Sequence, residues 1–302
     1  MMKSILVLVF FVALSYGFDY KLKPVQVTKD VTCFFGKSEP ITKDNGGHIA
    51  NCCYVSTVKG FVVIDSSPTY SFASQVYDKM QKITPQKIAF VINTHKHDDH
   101  WLANNFYKEL GAKIIGPHSL KNSVGKDEIT RIEREVSKEA FAKTKVVYPD
   151  EYVDKNRTLK VGDTTFEIKA LESDGHTDGD LIIYIPNKII FTGDLLFNDR
   201  LLSLRHGDLT GWLSSLEKIE SMKWEFIVSG DGKITDKSAL DLTKNYLLDL
   251  KKEVRAAMDD DVEIADITKV VTLDKYKNVK MYDLLNKQNT LKAYQILEFE
   301  EE

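Results

Sequence analysis

An α/β fold of two packed β-sheets with helices outside is predicted by three features of this 302-residue chain. Runs of β-like residues followed by helix-like residues occur twice along it, the pattern of two sheets meeting face to face under outer helices. The stretch "IAFVIN" at 88–93 is a continuous apolar run up to its closing Asn93, as a strand buried on both faces requires. Polar, glycine-marked turns border several apolar runs, which places reactive side chains at strand ends.

The elements follow in order. Short strand-like runs occupy 25–34, 51–57 and 61–65. "SFASQVYDKMQKI" has helical spacing through Phe72, Val76 and Met80. After the strand at 88–93, "WLANNFYKEL" reads as a helix closed by Gly111, and "AKIIG" as another strand. Residues 118–142 read as one charged helix, with Ile129, Ile132, Val136 and Ala140 on a single stripe. The pattern then partly restarts. "TLKVGDTTFEIKAL" predicts a hairpin turning near Gly162-Asp163, and "LIIYIPNKIIFTGD" another turning at Pro186-Asn187. "LTGWLSSLEKIESM" is a helix, "EFIVSG" a strand, and "SALDLTKNYLLDLKKEVRAAM" a longer helix. Residues 250–302 read as helical, with Met281, Leu284 and Leu285 as one apolar cluster and no core of their own. The expected organisation is a leader at 1–17, a main domain at 18–249 and a helical extension at 250–302 packed on it.

Composition excludes some functions. Hydrophobic residues make up 43% of the chain, enough for a sizeable core. The net charge of −4, without a basic block, argues against a nucleic-acid surface, which needs clustered Lys and Arg. Lys3 followed by the apolar run Ile5 to Leu14, with small residues at Ser15 and Gly17, is the pattern of a cleaved export signal. That run is too short to span a bilayer comfortably. The expected location is therefore secreted or periplasmic, with no stable membrane anchor after cleavage. Export lets cysteines pair. Cys52 and Cys53 are neighbours in a strand and point to opposite faces, so only one of them can meet Cys33.

The chemistry centres on "NTHKHDDH" at 93–100, which holds three of the chain's seven histidines. His95 and His97 lie about 200° apart on a helix, so they fit a loop leaving the strand and entering a helix that Asp98 or Asp99 caps. Crowded imidazoles point to a shared metal ion. His176 in "SDGHTDGD", Asp194 in "IIFTGD" and Asp231 in "FIVSGDG" occupy the same architectural position at other strand ends.

These motifs resemble those of the metallo-β-lactamase superfamily. "THKHDDH" matches its T-H-x-H-x-D-H motif, "GHT" at 175–177 its third-histidine motif and "FTGD" at 191–194 its bridging-aspartate motif. "VVIDSS" resembles the early strand whose aspartate, here Asp65, supports the metal loop. The resemblance covers residues 25 to about 245 and implies a four-layer αββα sandwich. It also implies that His95, His97 and His176 hold one metal. Asp99 and His100 would hold a second, with Asp194 bridging the two. In place of the family's last histidine this chain has Asp231, in "SGDG". The expected cofactors are two divalent ions, zinc first, with iron or manganese favoured at a second position rich in carboxylates. Aspartate at the bridging position is like hydrolases of the glyoxalase II kind; common zinc β-lactamases carry cysteine or serine there. The stretch "RLLSLRHGDLTGWLSSLEKI" and the tail "NKQNTLKAYQILEFEE" resemble exported metallohydrolases associated with quinoprotein relays and sulfur oxidation.

Two ions about 3.5–4 Å apart can share a hydroxide nucleophile at neutral pH. The expected function is hydrolysis of an ester, thioester or amide in a small molecule, with Asp99 orienting the nucleophile and taking its proton. Arg200 and Arg205 are candidates for binding a substrate carboxylate or sulfonate. His206 is a candidate replacement for the missing histidine, His48 a loop residue near the cleft, and His118 a structural residue. The competing readings are a weakly catalytic metal-binding or partner-binding module and, as substrate class, β-lactams. Exported protein is expected to begin at Phe18, and its intact mass checks this; a mass retaining residues 1–17 would contradict it.

Overall fold

The computed structural model of the chain describes residues 17–121, 130–171 and 174–300. The leader expected at 1–17 therefore falls almost wholly outside the described residues.

Seven strands form the first sheet in chain order. They are β1 (Val25–Thr28), β2 (Val31–Phe34), β3 (Cys52–Thr57), β4 (Gly60–Ile64), β5 (Ile88–Ile92), β6 (Lys113–Pro117) and β7 (Glu151–Val153). Pairing is antiparallel from β1 to β4 and parallel from β4 to β7. The second sheet holds β8 (Arg157–Val161), β9 (Thr164–Ala170), β10 (Leu181–Ile185), β11 (Ile189–Phe197) and β12 (Phe226–Asp231). Its last pair, β11–β12, is parallel. Both predicted hairpins form, with Gly162 and Asn187 at positive φ in their turns.

Alternating side chains of the two sheets meet in one apolar layer. Val31, Val55, Val62 and Ile64 face Phe166, Ile168, Ile183, Phe191 and Val228. Cys33 sits directly opposite Cys53 across β2–β3, and the two form a disulfide inside this layer. Cys52, one residue away, points to the other face and stays a buried thiol. Alternation lets only one of the two neighbouring cysteines pair, and the β2–β3 register selects Cys53.

Helices cover the outer faces. After the first sheet's early strands come α1 (Tyr70–Ile83), α2 (Asp98–Trp101) and α3 (Asn104–Glu109). Thr69 caps α1, its side chain accepting from the Phe72 N–H. Phe72, Val76 and Met80 then pack on Tyr54, Phe61 and Val63. The single helix expected at 101–110 is instead two short helices, and His97 rather than Asp98 or Asp99 is the residue preceding the first turn. The charged helix expected over 118–142 is corrected more strongly. The described residues form α4 (His118–Lys121), α5 (Arg131–Glu135) and α6 (Lys138–Phe141), and Ile129 lies outside them. Thr130 and Ser137 are extended and cap new helices, so the chain restarts at each. Ile132, Val136 and Ala140 are nonetheless buried together.

On the second sheet lie α7 (Leu209–Ser221), α8 (Asp241–Asp259), α9 (Ile267–Val270) and α10 (Tyr282–Glu298). Trp212, Leu216, Leu247, Leu250, Ala293 and Leu297 share one cluster, so the tail and the main domain have a common core. The expected boundary at 249/250 falls inside α8. The four layers are those of an αββα sandwich, and no helix of the described residues is long and apolar enough to cross a membrane.

His48 lies in the loop before β3. It is buried, with its ring against Phe72 and Tyr20. Burial lowers its pKa from 6.5 to about 4. The fold therefore favours the neutral imidazole. This stability is fully present above about pH 6.5 and is lost as pH falls towards 4, by roughly 3 kcal/mol. Urea unfolding of wild type and His48→Gln from pH 7 to pH 4 checks it. The variant should lose less stability over that window; equal losses would contradict the assignment.

Candidate metal centre

The site lies where the carboxyl ends of β4, β5, β11 and β12 meet. Its foundation is Asp65, just past β4, with φ 58°. One Asp65 oxygen accepts from the Thr94 N–H at 2.7 Å. The other accepts from the Thr94 hydroxyl at 2.9 Å and meets His100 Nδ1 at 2.8 Å. Thr94 Oγ1 in turn lies 3.0 Å from His95 Nδ1. These contacts orient both rings and leave Nε2 of each aimed into the site.

Three imidazole nitrogens converge. His97 Nδ1 lies 3.1 Å from His95 Nε2 and 2.9 Å from His176 Nε2. His176 is placed by a tight loop in which Asp180 accepts from both the N–H and the hydroxyl of Thr177, each at 2.8 Å. Asp194 arrives on β11 beside them. Its Oδ2 is 3.4 Å from His176 Nε2 and 3.8 Å from His95 Nε2. The close approach of β11 needs Gly193, at φ +52°, because a Cβ there would stand 2.6 Å from Thr94 Oγ1. Among the described residues, His95, His97, His176 and Asp194 form the group whose donor atoms all lie close together.

This first position fits a divalent metal. A single proton can bridge only one pair of the three nitrogens, whereas a tetrahedral ion with ~2.0–2.1 Å bonds serves all of them. Burial and the neighbouring imidazoles and cations hold the pKa of His95 and of His97 well below the ordinary value. Burial lowers His176 to about 4. All three are therefore in the neutral, ligating form at pH 7. Burial opposes a charged Asp194, but His100, His95 and His176 outweigh it and hold that carboxyl well below the usual range.

The side chains expected around a second ion are arranged differently. His100 Nε2 is 3.1 Å from Asp194 Oδ1 and 3.8 Å from Asp99 Oδ2. Burial disfavours the charged form of His100, yet Asp194 and Asp65 outweigh that and raise its pKa. Asp99 is engaged by the Arg131 guanidinium, which also pairs with Asp98. Asp231 is engaged by Arg200, with Nε to Oδ2 at 2.6 Å and both side chains buried. Its other oxygen lies 3.3 Å from Ser38 Oγ, whose shorter contact is Asp199 Oδ2 at 2.8 Å. Even so, burial lifts Asp231 to about 6. Asp231, expected as a metal ligand, thus has its charge facing a guanidinium. At the second position Asp99 and Asp231 each face a guanidinium, while His100 Nε2 and Asp194 Oδ1 are buried without hydrogen-bond partners.

His206 is also placed differently from its expected role. Its Nδ1 lies 2.9 Å from His97 Nε2, on the side of that ring away from the converging nitrogens. It is a partner that orients a ligand, the arrangement common around metal-bound histidines. His118 is exposed at the start of α4.

The cluster opens into a cleft of about 750 Å³. Arg200, Arg205 and His206 line one side, and Lys96, Arg131 and Trp101 another. Met281, Leu284 and Leu285 of the tail form an apolar wall. The tail also fixes the loop at 198–206. Leu201 N–H donates to the Lys280 carbonyl at 2.9 Å. Asn289 accepts from the Leu204 N–H and donates to the Leu202 carbonyl, each at 2.9 Å. Arg131 and the tail's part in this wall had no local motif to announce them.

Comparison with known proteins agrees with this geometry. The model of the metallo-beta-lactamase superfamily matches residues 45–231. A metallo-beta-lactamase type 2 of Elizabethkingia meningoseptica is 23% identical over 216 residues, covering 70% of this chain and 80% of the relative. Another from Bacillus sp. (strain 170) is 25% identical over 224 residues, covering 72% and 77%. Among solved structures, a metallo-beta-lactamase from Pontibacter korlensis has a TM-score of 0.58 at 19% identity, covering 75% of this chain and 99% of that one. A metallo-beta-lactamase from Pseudomonas aeruginosa in its mono-zinc form has a TM-score of 0.58 at 15% identity, covering 75% and 95%. A match across most of the folded chain, over the strands that carry His95, His97, His176 and Asp194, places this protein in the metallo-beta-lactamase superfamily.

Proposed function

We propose that the protein is an exported, zinc-dependent hydrolase that cleaves an ester, thioester or amide bond of a small molecule. The observation that carries this reading is the convergence of His95 Nε2, His97 Nδ1 and His176 Nε2 at the floor of an open cleft. Three neutral imidazoles with a neighbouring carboxylate suit zinc, and an ion held there lowers the pKa of water and polarises a carbonyl. Export is supported by the apolar leader and by the Cys33–Cys53 disulfide, which persists in oxidising compartments.

The chain's own residues divide the remaining work. Asp99 lines the cleft, held by Arg131 and 3.8 Å from His100 Nε2, and is the carboxylate we assign to take a proton from the attacking water. Arg200 and Arg205 offer guanidinium groups to a carboxylate or sulfonate on the substrate. Met281, Leu284 and Trp101 offer apolar surface to its body. Substrates with an apolar body and an anionic group are therefore preferred. β-Lactam hydrolysis is a second reading, favoured by the names of the two sequence relatives. A lactam is an amide, so the same machinery would serve it.

The test is a panel of ester, thioester, lactam and sulfate-ester substrates with the zinc-loaded mature protein. Carboxyl-ester or thioester turnover is expected. Asp99→Asn should reduce it by ~10²–10⁴-fold, as for loss of general-base work. His176→Ala should abolish it together with metal retention. Zinc retention without turnover of any member would instead support a binding module. Near-wild-type rates in Asp99→Asn would remove Asp99 from the proton transfer.

A further inference from the structure

We infer that Arg200, locked by Asp231, takes the place of a second metal ion, so that this chain's site is a centre of one metal and one fixed guanidinium. The inference rests on the metal-dependent reading above and concerns the same cleft.

The locking is complete on three sides. Arg200 Nε donates to Asp231 Oδ2 at 2.6 Å, and Nη1 donates to the Leu201 carbonyl at 3.1 Å. The guanidinium carbon lies 4.6 Å from the centre of the Phe197 ring, in cation–π range. Arg200 is only 8% exposed, and that surface faces the cleft. Its backbone is held as well, through the Arg200–Lys280 bridge and the Leu201–Lys280 hydrogen bond. Moving the guanidinium away would break these contacts and leave Asp231 buried without a charged partner.

The second position has correspondingly little left to offer an ion. Asp231 has one oxygen on Arg200 and the other 3.3 Å from Ser38 Oγ. Asp99 is paired with Arg131. Asp194 Oδ2 belongs to the converging imidazole cluster. Of the four side chains expected there, only His100 and Asp194 face no guanidinium, and their Nε2 and Oδ1 lie 3.1 Å apart. Two guanidinium charges already answer the carboxylates that a divalent ion would otherwise neutralise. A second ion would have to sit beside them and share ligands with both.

The closeness of Asp231 to the first position explains why a fixed charge here matters. Gly230 packs directly under Asp194, where a Cβ would stand 2.0 Å from Asp194 Oδ1. Asp231 and its arginine are therefore one residue beyond the floor of the metal cluster. A guanidinium at this place supplies positive charge without exchanging with solvent, and its planar donors favour a substrate oxyanion.

The experiment is metal counting on the full mature chain. Wild type, Arg200→Met and Asp231→Asn are equilibrated with excess zinc, desalted and analysed by mass spectrometry for zinc per chain. A parallel cobalt titration follows the visible absorption of the bound ion, and circular dichroism confirms folding. One equivalent is expected in wild type and in Asp231→Asn, with the cobalt signal saturating at one. Arg200→Met, which frees Asp231, should gain a second, weaker equivalent. Two equivalents in wild type that fall to one in Asp231→Asn would overturn the inference while leaving the hydrolase reading intact. If Arg200→Met does not fold, the comparison of wild type with Asp231→Asn decides alone. No bound metal in wild type would instead overturn the metal-dependent reading itself.

Discussion

The buried carboxylate of Asp65 is the contact on which the rest of the site depends. It stands at the end of β4 and receives the Thr94 N–H, the Thr94 hydroxyl and His100 Nδ1. Through Thr94 it also fixes the far nitrogen of His95. One acid thus sets two ring orientations, that of His95 in the loop after β5 and that of His100 in α2. Its left-handed backbone is a conformation that aspartate tolerates better than most residues. Burial of this carboxylate is made acceptable by the number of donors it meets. The parallel pairing of β4 with β5 supplies the geometry, since Asp65 N–H donates to the Ile92 carbonyl at 2.9 Å.

From that anchor the site grows by long-range pairing of charges. His95, His97 and His176 are neutral because they are buried, and Asp194 is ionised chiefly because His100 stands beside it. Asp99 and Asp231 are each answered by an arginine from a distant segment. The helical tail belongs to this arrangement. It packs into the core of the second sheet and, through Lys280 and Asn289, holds the loop that presents Arg200 and His206. The family match ends at residue 231, so these holding contacts come from outside the matched region. They give the chain a means of shaping its cleft without altering the strands that carry the ligands.

Legibility from sequence follows the range of the interactions. Strands were readable because burial on one or two faces writes a local pattern, and the cluster at 95–100 was readable because its residues are adjacent. The choice of Cys53 over Cys52 needed the β2–β3 register, which alternation alone does not give. The arginine partners were not readable. Arg131 and Arg200 lie 32 and 31 residues from the aspartates they meet, and each resembles an ordinary surface charge. His206 meets His97 across 109 residues. The breaks in the stretch 118–142 were legible in principle, because Thr130 and Ser137 are good capping residues. The apolar stripe obscured them, since it continues across both breaks.

The central claim is that this fold assembles a metal position from His95, His97 and His176. Anomalous diffraction from zinc-loaded crystals, collected on both sides of the zinc absorption edge, tests it most directly. The account predicts one strong peak within bonding distance of His95 Nε2, His97 Nδ1 and His176 Nε2, with the Arg200 guanidinium on Asp231. A peak ligated by Asp231, or no peak among the three histidines, would contradict it.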